Sequence, residues 1–378
     1  MPWGLYVHIP FCPYKCDYCD FVAVTAGPRL APWMRGYAAM LEAEADFWRG
    51  VLDPAPPISV FYGGGTPTLL ADLAGLHRRL ARRFGLPPGA EVTVECNPGT
   101  VGDAELAALR AAGVNRLSIG LQAAQDGLLE GLGRQHTWTQ FAAAFGAARA
   151  AGFANIAVDV MCGLPGQTLE DALQTIDRVL ALGPEHLSAY SLQVEEGTVL
   201  ERRAARSPGI LPPDDLVVAQ LAGIRAALLA AGFEHYEISN FARPERRCRH
   251  NLLYWRNDDY LGLGIGAHAH WRGRRWENTR RLAVYRDALR AGDGGWVHGS
   301  EEPDAARERG DAAFLELRLL EGIDLEGYRT RHGVSLEEAF PGVPERLVAD
   351  GLCALEGGRL RLRPDALPVA NRAFVAFV

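Results

Sequence analysis

The sequence predicts an α/β fold built around a parallel β-sheet, followed by a small C-terminal α+β module. Between residues 5 and 194, short apolar runs rich in β-branched and aromatic residues alternate with longer helical patterns. Most of the runs are continuous rather than alternating, as expected for parallel strands that are covered on both faces. Six β/α units in a row favour a parallel sheet, which is either open and doubly wound or closed into a barrel.

The predicted elements follow one another in a regular order. The strands cover residues 5–9, 58–64, 92–98, 116–122, 156–164 and 187–194. The helices between them include residues 32–48, 103–113, 140–153 and 168–183. In the last of these helices, Thr168 and Asp171 resemble a capping box, and Gly183 lies where a C-cap is expected. A seventh pair follows, with a helix over 214–233 and a strand over 235–242.

The last third of the chain is less regular. Residues 243–300 are rich in Arg, Trp, Gly and His and show little periodicity, and the charged residues 301–310 indicate a linker. The end of the chain predicts three helices, a hairpin over 353–363 with two glycines at its turn, and a final helix, which suggests a winged-helix-like module. Its segment 335–351 is more acidic than basic, so we expect packing or substrate cover rather than DNA binding.

Composition narrows the class of protein. The 378 residues are 48% hydrophobic and 22% charged, which is ordinary for a globular protein, and the net charge of −7 argues against a nucleic-acid partner. No apolar run reaches the length of a membrane span, and the N-terminus lacks the pattern of a secretory signal. We therefore expect a cytoplasmic protein without an integral membrane segment, for which peripheral membrane contact stays open.

Three of the seven cysteines crowd into one loop directly after the first strand. Cys12, Cys16 and Cys19 have the spacing C-x3-C-x2-C. A structural zinc site wants four ligands, commonly as two separated pairs. Three thiolates can instead hold three irons of a [4Fe–4S] cubane and leave the fourth iron open to chelate the methionine end of S-adenosylmethionine (SAM). We predict such a cluster–SAM site here, with zinc and chance spacing as alternatives.

Polar and glycine residues at the ends of the other strands support a site at the same edge of the sheet. Glycines 63–65 let the backbone approach a ligand, although a tight βα turn also explains them. Glu95 and Asp159 lie within apolar strands, where a carboxylate is costly unless it is paired or bound to a ligand. Gln122 ends the fourth strand and Arg134 follows it. An ion pair between Asp159 and Arg134 is the structural alternative.

These motifs together resemble the radical SAM family, whose fold is a partial (β/α)6 barrel. The resemblance is closer to its oxygen-independent coproporphyrinogen oxidase group, through LYVHIPFC, FYGGGTPTLL, ECNPGT, NRLSIGLQ, LGRQH and DVMCGLPGQT. It implies a partial barrel over 1–235, an extension over 236–300 and a winged-helix-like C-terminal domain over 301–378. It also implies SAM contacts from Tyr6, Tyr18, Gly64, Gly65, Thr66, Glu95, Gln122, Arg134 and Asp159.

Two features separate the oxidases of this group from a haem chaperone branch. Phe21 stands where the oxidases have a fourth cysteine, and residues 250–255 form an HNxxYW motif that resembles the chaperone branch. The resemblance implies a protein that binds haem and passes it to membrane respiratory proteins, with an electron donor to the cluster as a further partner. A radical enzyme acting on coproporphyrinogen III is the alternative; Phe21 disfavours it, and enzymatic activity stays open.

The HNxxYW motif supplies the predicted haem-binding residues, which are His250, Asn251, Tyr254 and Trp255. The histidine would ligate the iron, and the two aromatic rings would offer flat apolar surface. Nearby arginines would pair with the propionates, namely Arg247, Arg249 and Arg256. The structural alternative is that the histidine belongs to a buried hydrogen-bond network and that Tyr-Trp fills core between the barrel and the tail. Competing ligands are His136, His268 and His270.

Overall fold

A computed structural model describes residues 2–378 except Ala26 and Arg29. Its strands are β1 (Trp3–Ile9), β2 (Phe11–Cys12), β3 (Val24–Thr25), β4 (Ser59–Gly64), β5 (Glu91–Cys96), β6 (Arg116–Gln122), β7 (Ile156–Cys162), β8 (His186–Ser191), β9 (Glu234–Glu237), β10 (Asn240–Ala242), β11 (Asp259–Leu263), β12 (His268–Trp271), β13 (Arg274–Asn278), β14 (Val297–Glu301), β15 (Ile323–Asp324), β16 (Cys353–Glu356) and β17 (Arg359–Leu362).

The α-helices alternate with the strands in the first half of the chain and cluster near its end. They are α1 (Ala31–Leu52), α2 (Leu73–Phe84), α3 (Asp103–Ala112), α4 (Asp126–Gly131), α5 (Trp138–Ala150), α6 (Leu169–Leu180), α7 (Val199–Arg206), α8 (Asp214–Ala230), α9 (Arg249–Trp255), α10 (Leu282–Ala291), α11 (Ala305–Glu316), α12 (Leu325–His332), α13 (Leu336–Ala339), α14 (Val343–Ala349) and α15 (Asn371–Phe374).

Twelve strands form one sheet in the order β14-β13-β12-β11-β1-β4-β5-β6-β7-β8-β10-β9. The six predicted β/α strands are β1 and β4 to β8, and they pair in parallel with their neighbours. Their buried runs are apolar on both faces, since helices cover the outside and the core fills the inside. The predicted parallel sheet of six units is therefore confirmed, and the carboxyl ends of these strands meet along one edge.

The seventh strand predicted over 235–242 is present as two short strands, β9 and β10, which pair antiparallel. The seventh parallel strand is β11, which was not predicted. β11 pairs in parallel with β1, with Trp3 opposite Asp259 and Val7 opposite Leu263. Its sequence, DYLGL, reads as a loop because of the glycine, yet a Cβ at Gly262 would lie 2.1 Å from the carbonyl oxygen of His268. Only glycine allows that close approach of the two backbones. Residues 243–300, whose sequence shows little periodicity, contain two helices and four strands, the last of which ends at Glu301.

The ends of the helices confirm one further expectation and correct two others. The capping box is confirmed, because Thr168 Oγ1 accepts from the Asp171 N–H at 3.0 Å and the Asp171 carboxylate accepts from the Thr168 N–H at 2.9 Å. Helix α6 ends at Leu180, so Gly183 lies beyond its C-cap rather than in it. The linker expected over 301–310 was wrong as well. Asp304 accepts hydrogen bonds from two backbone N–H groups and starts α11 inside that segment.

The C-terminal module has its own apolar core and a three-stranded sheet in the order β15-β17-β16. The predicted hairpin is β16–β17, with Gly357 and Gly358 at its turn. Arg331 fastens the module to the barrel by donating to the backbone carbonyls of Arg256 and Asn257. Among the described residues, no helix combines the length and the apolar character needed to cross a membrane.

Candidate functional site

The three clustered cysteines lie in the loop that leaves β1 at the carboxyl edge of the sheet. The loop is held at its centre by Asp17, whose N–H donates to the carbonyl of Leu132 at 3.0 Å and whose carboxylate pairs with Arg203 at 2.8 Å. Cys12, Cys16 and Cys19 all line one cavity of about 480 Å³. The structure thus brings the predicted cluster ligands to a single open space where parallel strands end, the usual place for a ligand in such sheets.

The surroundings of the thiols fit an iron–sulfur cluster. Thr66 Oγ1 lies 3.8 Å from Cys12 Sγ, and Arg134 Nη1 lies 3.7 Å from Cys16 Sγ. Burial raises the pKa of Cys12, and it raises the pKa of Cys19 to about 11, so these thiols need an electrophile to become thiolates. Over the described residues, no three His, Cys, Asp or Glu side chains converge on the position of one ion. A cubane does not need this, because each thiolate binds a different iron.

The glycine loop after β4 packs against the end of β1 and against β2, which leads into the cysteine loop. The N–H groups of Gly65 and Thr66 donate to the carbonyls of Ile9 and Phe11 at 2.8 Å each. A Cβ at Gly65 would lie 2.7 Å from the Phe11 carbonyl, and Gly64 has a φ of 106°. Both positions therefore require glycine for backbone reasons. The loop supports the cysteine strand from below, while Gly64 and Gly65 also line the cavity.

Two carboxylates form the polar floor of the cavity. Glu95 accepts one hydrogen bond, from the Gly64 N–H at 3.3 Å, and burial followed by the nearby Asp159 raises its pKa to about 8. Ser118 Oγ donates to Asp159 at 3.3 Å, and burial raises the pKa of Asp159. Both groups are costly to ionise where they lie, and both face the space where a cationic ligand would reduce that cost.

Arg134 and Asp159 do not form the ion pair that was the structural alternative predicted from the sequence for these two residues. Its Nη2 donates to Asn97 Oδ1 at 3.0 Å and to the carbonyl of Gly120, and its Nη1 faces Cys16. Gln122 lies at a β-bulge with a φ of 77°, a backbone conformation that residues other than glycine rarely adopt. The bulge interrupts the register between β6 and β7, and it lies where Gln122 lines the cavity.

Tyr6 and Tyr18 also line the cavity, whereas Thr66, another predicted SAM contact, is fully buried and does not line it. Tyr6 is held by His8, whose Nδ1 lies 3.0 Å from its hydroxyl. The other ring nitrogen of His8 lies 2.7 Å from the carbonyl of Val22, on the far side of the cysteine loop. Sequence reasoning assigned His8 to the strand and missed this bridge between strand and loop. Its position four residues before Cys12 was the available signal.

Helix α9 carries the HNxxYW motif and reaches the same cavity. Glu91 holds its N-terminus by accepting from the N–H groups of Arg249 and His250 at 3.0 Å each. His250, Asn251 and Tyr254 line the cavity beside the cluster loop. Trp255 does not, because its ring lies under the guanidinium of Arg318 at 4.4 Å, between the barrel and the C-terminal module.

His250 is buried, and both of its ring nitrogens are engaged. Nδ1 lies 2.8 Å from Ser59 Oγ, and Nε2 lies 2.9 Å from the hydroxyl of Tyr254. Burial followed by the charge of Arg116 lowers the pKa of His250 to about 3, so the ring is neutral. This is the hydrogen-bond network that the structural alternative describes. Ligation of iron by His250 would require one of the two hydrogen bonds to break.

The other predicted haem partners lie elsewhere. Arg247 pairs with Glu234 at 3.1 Å, and Arg256 pairs with Glu321 at 3.6 Å, so their charges are already balanced. Arg249 donates to the carbonyl of Gly89. None of the competing histidines lines the cavity within the part of the chain that the structure describes; these are His136, His268 and His270.

Phe21 lies at the mouth of the cavity. It follows Cys19 by two residues, lines the cavity and exposes 64% of its surface. A single exposed apolar side chain is ordinary on a protein surface, so it is the position of Phe21 at the cavity that connects it with the site. At this position the chain presents apolar surface to an incoming molecule instead of a further thiol.

Comparisons with known proteins agree with the fold and with this site. The family model of the Radical SAM superfamily matches residues 6–179, and that of the HemN C-terminal domain matches residues 304–369. The barrel and its cysteine loop are therefore those of a radical SAM protein, a class that holds a [4Fe–4S] cluster and SAM.

Full-length relatives narrow the class. "Heme chaperone HemW" of Mycobacterium tuberculosis (strain H37Rv) is 37% identical over 96% of this chain and 91% of its own length. The protein of the same name from Bacillus subtilis is 34% identical over 99% of this chain and 98% of its own. The one from Escherichia coli is 38% identical over 71% and 70%. The chain belongs to the HemW family.

A solved structure confirms the predicted partial barrel with a C-terminal domain. It is that of coproporphyrinogen III oxidase (HemN) from Escherichia coli, a radical SAM enzyme, which covers 100% of this chain and 90% of its own with a TM-score of 0.85. The two sequences are 23% identical, so the likeness shows the fold.

Proposed function

We propose that this protein is a haem chaperone, which binds haem and passes it to acceptor proteins, with the cluster and SAM as resident cofactors. The observation that carries the proposal is the placement of α9. The helix brings His250, Asn251 and Tyr254 of the HNxxYW motif to the cavity that the cluster cysteines line. Full-length kinship with proteins named heme chaperone supports the same reading.

Different residues of this chain would hold the two cofactors. Cys12, Cys16 and Cys19 would each ligate one iron, and the polar floor with Glu95 and Arg134 would orient SAM against the open iron. When bound, the cluster and SAM supply reductive cleavage of the sulfonium carbon–sulfur bond. An electron donor from outside the chain would reduce the cluster.

The acceptors we propose are respiratory proteins of the membrane, met by peripheral contact from the cytoplasm. Phe21 supports a transfer role, since an exposed aromatic ring at the mouth of the cavity offers apolar surface to a planar cargo. In the oxidases that this chain resembles, the same position is a cysteine. An enzyme acting on coproporphyrinogen III is therefore the weaker candidate.

The experiment that tests the proposal is haem titration of the full chain after anaerobic reconstitution with iron and sulfide. We expect saturation near one haem per chain, followed by transfer to a haem-free respiratory protein. His250→Ala should abolish the shift of the haem absorbance band while leaving the cluster absorbance unchanged. Tyr254→Phe removes the partner of Nε2, so it should leave binding intact or strengthen it.

Two outcomes would contradict the proposal. If the wild-type chain takes up no haem beyond non-specific binding, the chaperone function fails. If it converts coproporphyrinogen III with multiple turnovers under anaerobic reducing conditions, the enzyme replaces the chaperone. Equal loss of haem binding in His250→Ala and Tyr254→Phe would show that His250 is a part of the fold and not a ligand.

A further inference from the structure

A second, larger cavity lies beside the cluster cavity. It has a volume of about 670 Å³ and occupies the cleft between the barrel edge formed by β8 and α8 and the last turns of the C-terminal module. The volume is within the range of small-molecule sites in proteins, roughly 300–1,000 Å³. Tyr190, at the end of β8, lines both cavities. The two cavities therefore meet at this side chain.

The cleft has an apolar wall on each side. Side chains of α8 face the segment that ends in α15, with Val218 and Ile224 on one side and Leu367 and Phe374 on the other. Val218 exposes 41% of its surface, and Tyr190 exposes 40%. These two side chains place partly exposed apolar surface at the opening of the cleft.

Arg318 is the distinctive polar group of the cleft. Its guanidinium lies 4.4 Å from the ring of Trp255 and 5.6 Å from that of Phe374. Its Nε is buried without a hydrogen-bond partner, and across the described residues no carboxylate lies within 4.0 Å of the guanidinium. The charge of Glu237 acts on Arg318; one Glu237 oxygen accepts from Ser239 and Asn240, and the other, Oε2, is buried without a hydrogen-bond partner. The unpartnered Nε of Arg318 is a donor that a bound anion would engage.

The contrast with the surface arginines near α9 strengthens this reading. Arg247 and Arg256 form ion pairs with glutamates, whereas Arg318 stacks on aromatic rings and feels the charge of Glu237 without forming an ion pair with it. Stacking fixes the plane of a guanidinium and leaves its edge free for a carboxylate. Arg225 adds a second positive charge to the lining, and Asp365 on the exposed rim is the one carboxylate in it.

We propose that this cleft binds the propionate edge of a porphyrin, with Arg318 as the anion partner and the α8 face as the apolar wall. The inference rests on the proposed chaperone function and names a holding position for its cargo. The HNxxYW helix then borders both sites, through His250 on the cluster cavity and through Trp255 beneath Arg318. The motif's tryptophan is a positioning residue for the arginine and does not itself stack on the cluster side.

The test is fluorescence titration of the full, cluster-reconstituted chain with protoporphyrin IX and with its dimethyl ester. Neither probe contains iron, so axial ligation does not contribute. The wild-type chain should prefer the free acid by about tenfold or more, since a charge-assisted hydrogen bond is lost in the ester. Arg318→Gln should bind both forms equally, and Arg318→Lys should keep part of the preference. Arg243→Gln is the control, an arginine stacked on Phe233 outside the cleft.

A second pair of variants tests the cleft without touching the arginine. Val218→Asp places a negative charge on the wall, and it should weaken binding of the free acid roughly tenfold by repelling the propionates. Leu229→Asp lies on the same helix, is 39% exposed and is outside the cleft, so it should bind like wild type. This pair decides the matter even if Arg318→Gln fails to fold.

The results separate this inference from the proposed function. Wild-type preference in both Arg318→Gln and Val218→Asp, or no binding of either porphyrin by the wild-type chain, would overturn the cleft site. Haem transfer that persists in that case would leave the chaperone function standing. If the two variants lose the preference for the free acid but the wild-type chain transfers no haem, the cleft site is supported and the chaperone function is contradicted.

Discussion

Two glutamates of the barrel, Glu44 and Glu95, lie deep in the structure but differ in the number of hydrogen bonds that they accept. Glu44, on α1, accepts hydrogen bonds from the Gly264 N–H at 2.7 Å, from Asn278 at 2.6 Å and from Tyr285 and Trp48. Glu95, at the end of β5, accepts one, from Gly64 at 3.3 Å. Burial raises the pKa of Glu44 to about 7 and that of Glu95 to about 8.

The difference shows how a structural carboxylate can be told from a site carboxylate in one fold. The protein supplies nearly every partner of Glu44, which joins α1 to the turn after β11 and to α10. It leaves Glu95 incomplete, facing an open cavity. A buried polar group without partners costs about 1–3 kcal/mol, and it is retained where a ligand removes that cost. Four predictions break or sharpen this comparison.

The largest effect is expected when the three cysteines that would ligate the cluster are replaced. Replacing Cys12, Cys16 and Cys19 together by alanine should abolish the cluster, because no thiolate then remains in the loop to bind iron. Iron and acid-labile sulfide after anaerobic reconstitution measure this. Cys353→Ala, in the C-terminal module, is the control. A full cubane in the triple variant would mean that Cys96, which also lines the cavity, supplies a ligand.

Glu44→Ala should cost about 3–5 kcal/mol of the free energy of unfolding, because it leaves several buried donors without an acceptor. Denaturant unfolding of the wild-type and variant chains measures the loss. Glu42→Ala is the matched control on the same helix; its ion pairs with Arg79 and Arg83 are near the surface and contribute about 0–1 kcal/mol. Equal losses in the two variants would remove the structural role assigned to Glu44.

The pH dependence of stability should carry the signature of Glu44. In the folded protein it keeps its proton up to a pKa of about 7, whereas the ordinary value is 4.5. Unfolding therefore releases a proton between these values, and stability falls as pH rises through this window, by about 3 kcal/mol. The contribution is fully present below pH 4.5. Glu44→Gln should flatten this part of the curve, and identical wild-type and variant curves would contradict the assignment.

Glu95→Gln should behave in the reverse way. Stability should stay within about 1 kcal/mol of wild type, since only the hydrogen bond from Gly64 is altered. SAM affinity of the reconstituted chain should fall roughly tenfold or more, because the cationic ligand loses its carboxylate. Equilibrium dialysis measures the affinity, with Glu44→Gln as the control. A large loss of stability with unchanged SAM affinity would make the two glutamates alike.

Much of the fold followed from the sequence because its signals are local. The strands of the parallel sheet are continuous apolar runs, and the capping box from Thr168 to Asp171 is a four-residue pattern. The three cysteines were recognised as one site from spacing alone, and the structure places them on one cavity. Local patterns of this kind need no knowledge of what packs against them.

What the sequence did not reveal depends on long-range packing. β11 reads as a loop because Gly262 is chosen for its close approach to a neighbouring backbone. Helix α11 reads as a linker because its charges suggest solvent, while its small residues Ala312 and Ala313 are buried in the C-terminal core. Trp255 was grouped with the haem residues by its motif, yet its neighbour is Arg318, from 63 positions later in the chain. Such partners cannot be read from spacing.

The pairing of β1 with β11 has a consequence for how the protein is made. β1 carries the cysteine loop, and one of its two neighbours follows about 250 residues later in the chain. At about 5–20 residues per second, a ribosome needs roughly 12–50 s to supply that strand. During this time the edge of β1 beside the newly made thiols has no partner. The cysteines are therefore synthesised well before the strand that completes the sheet beside them.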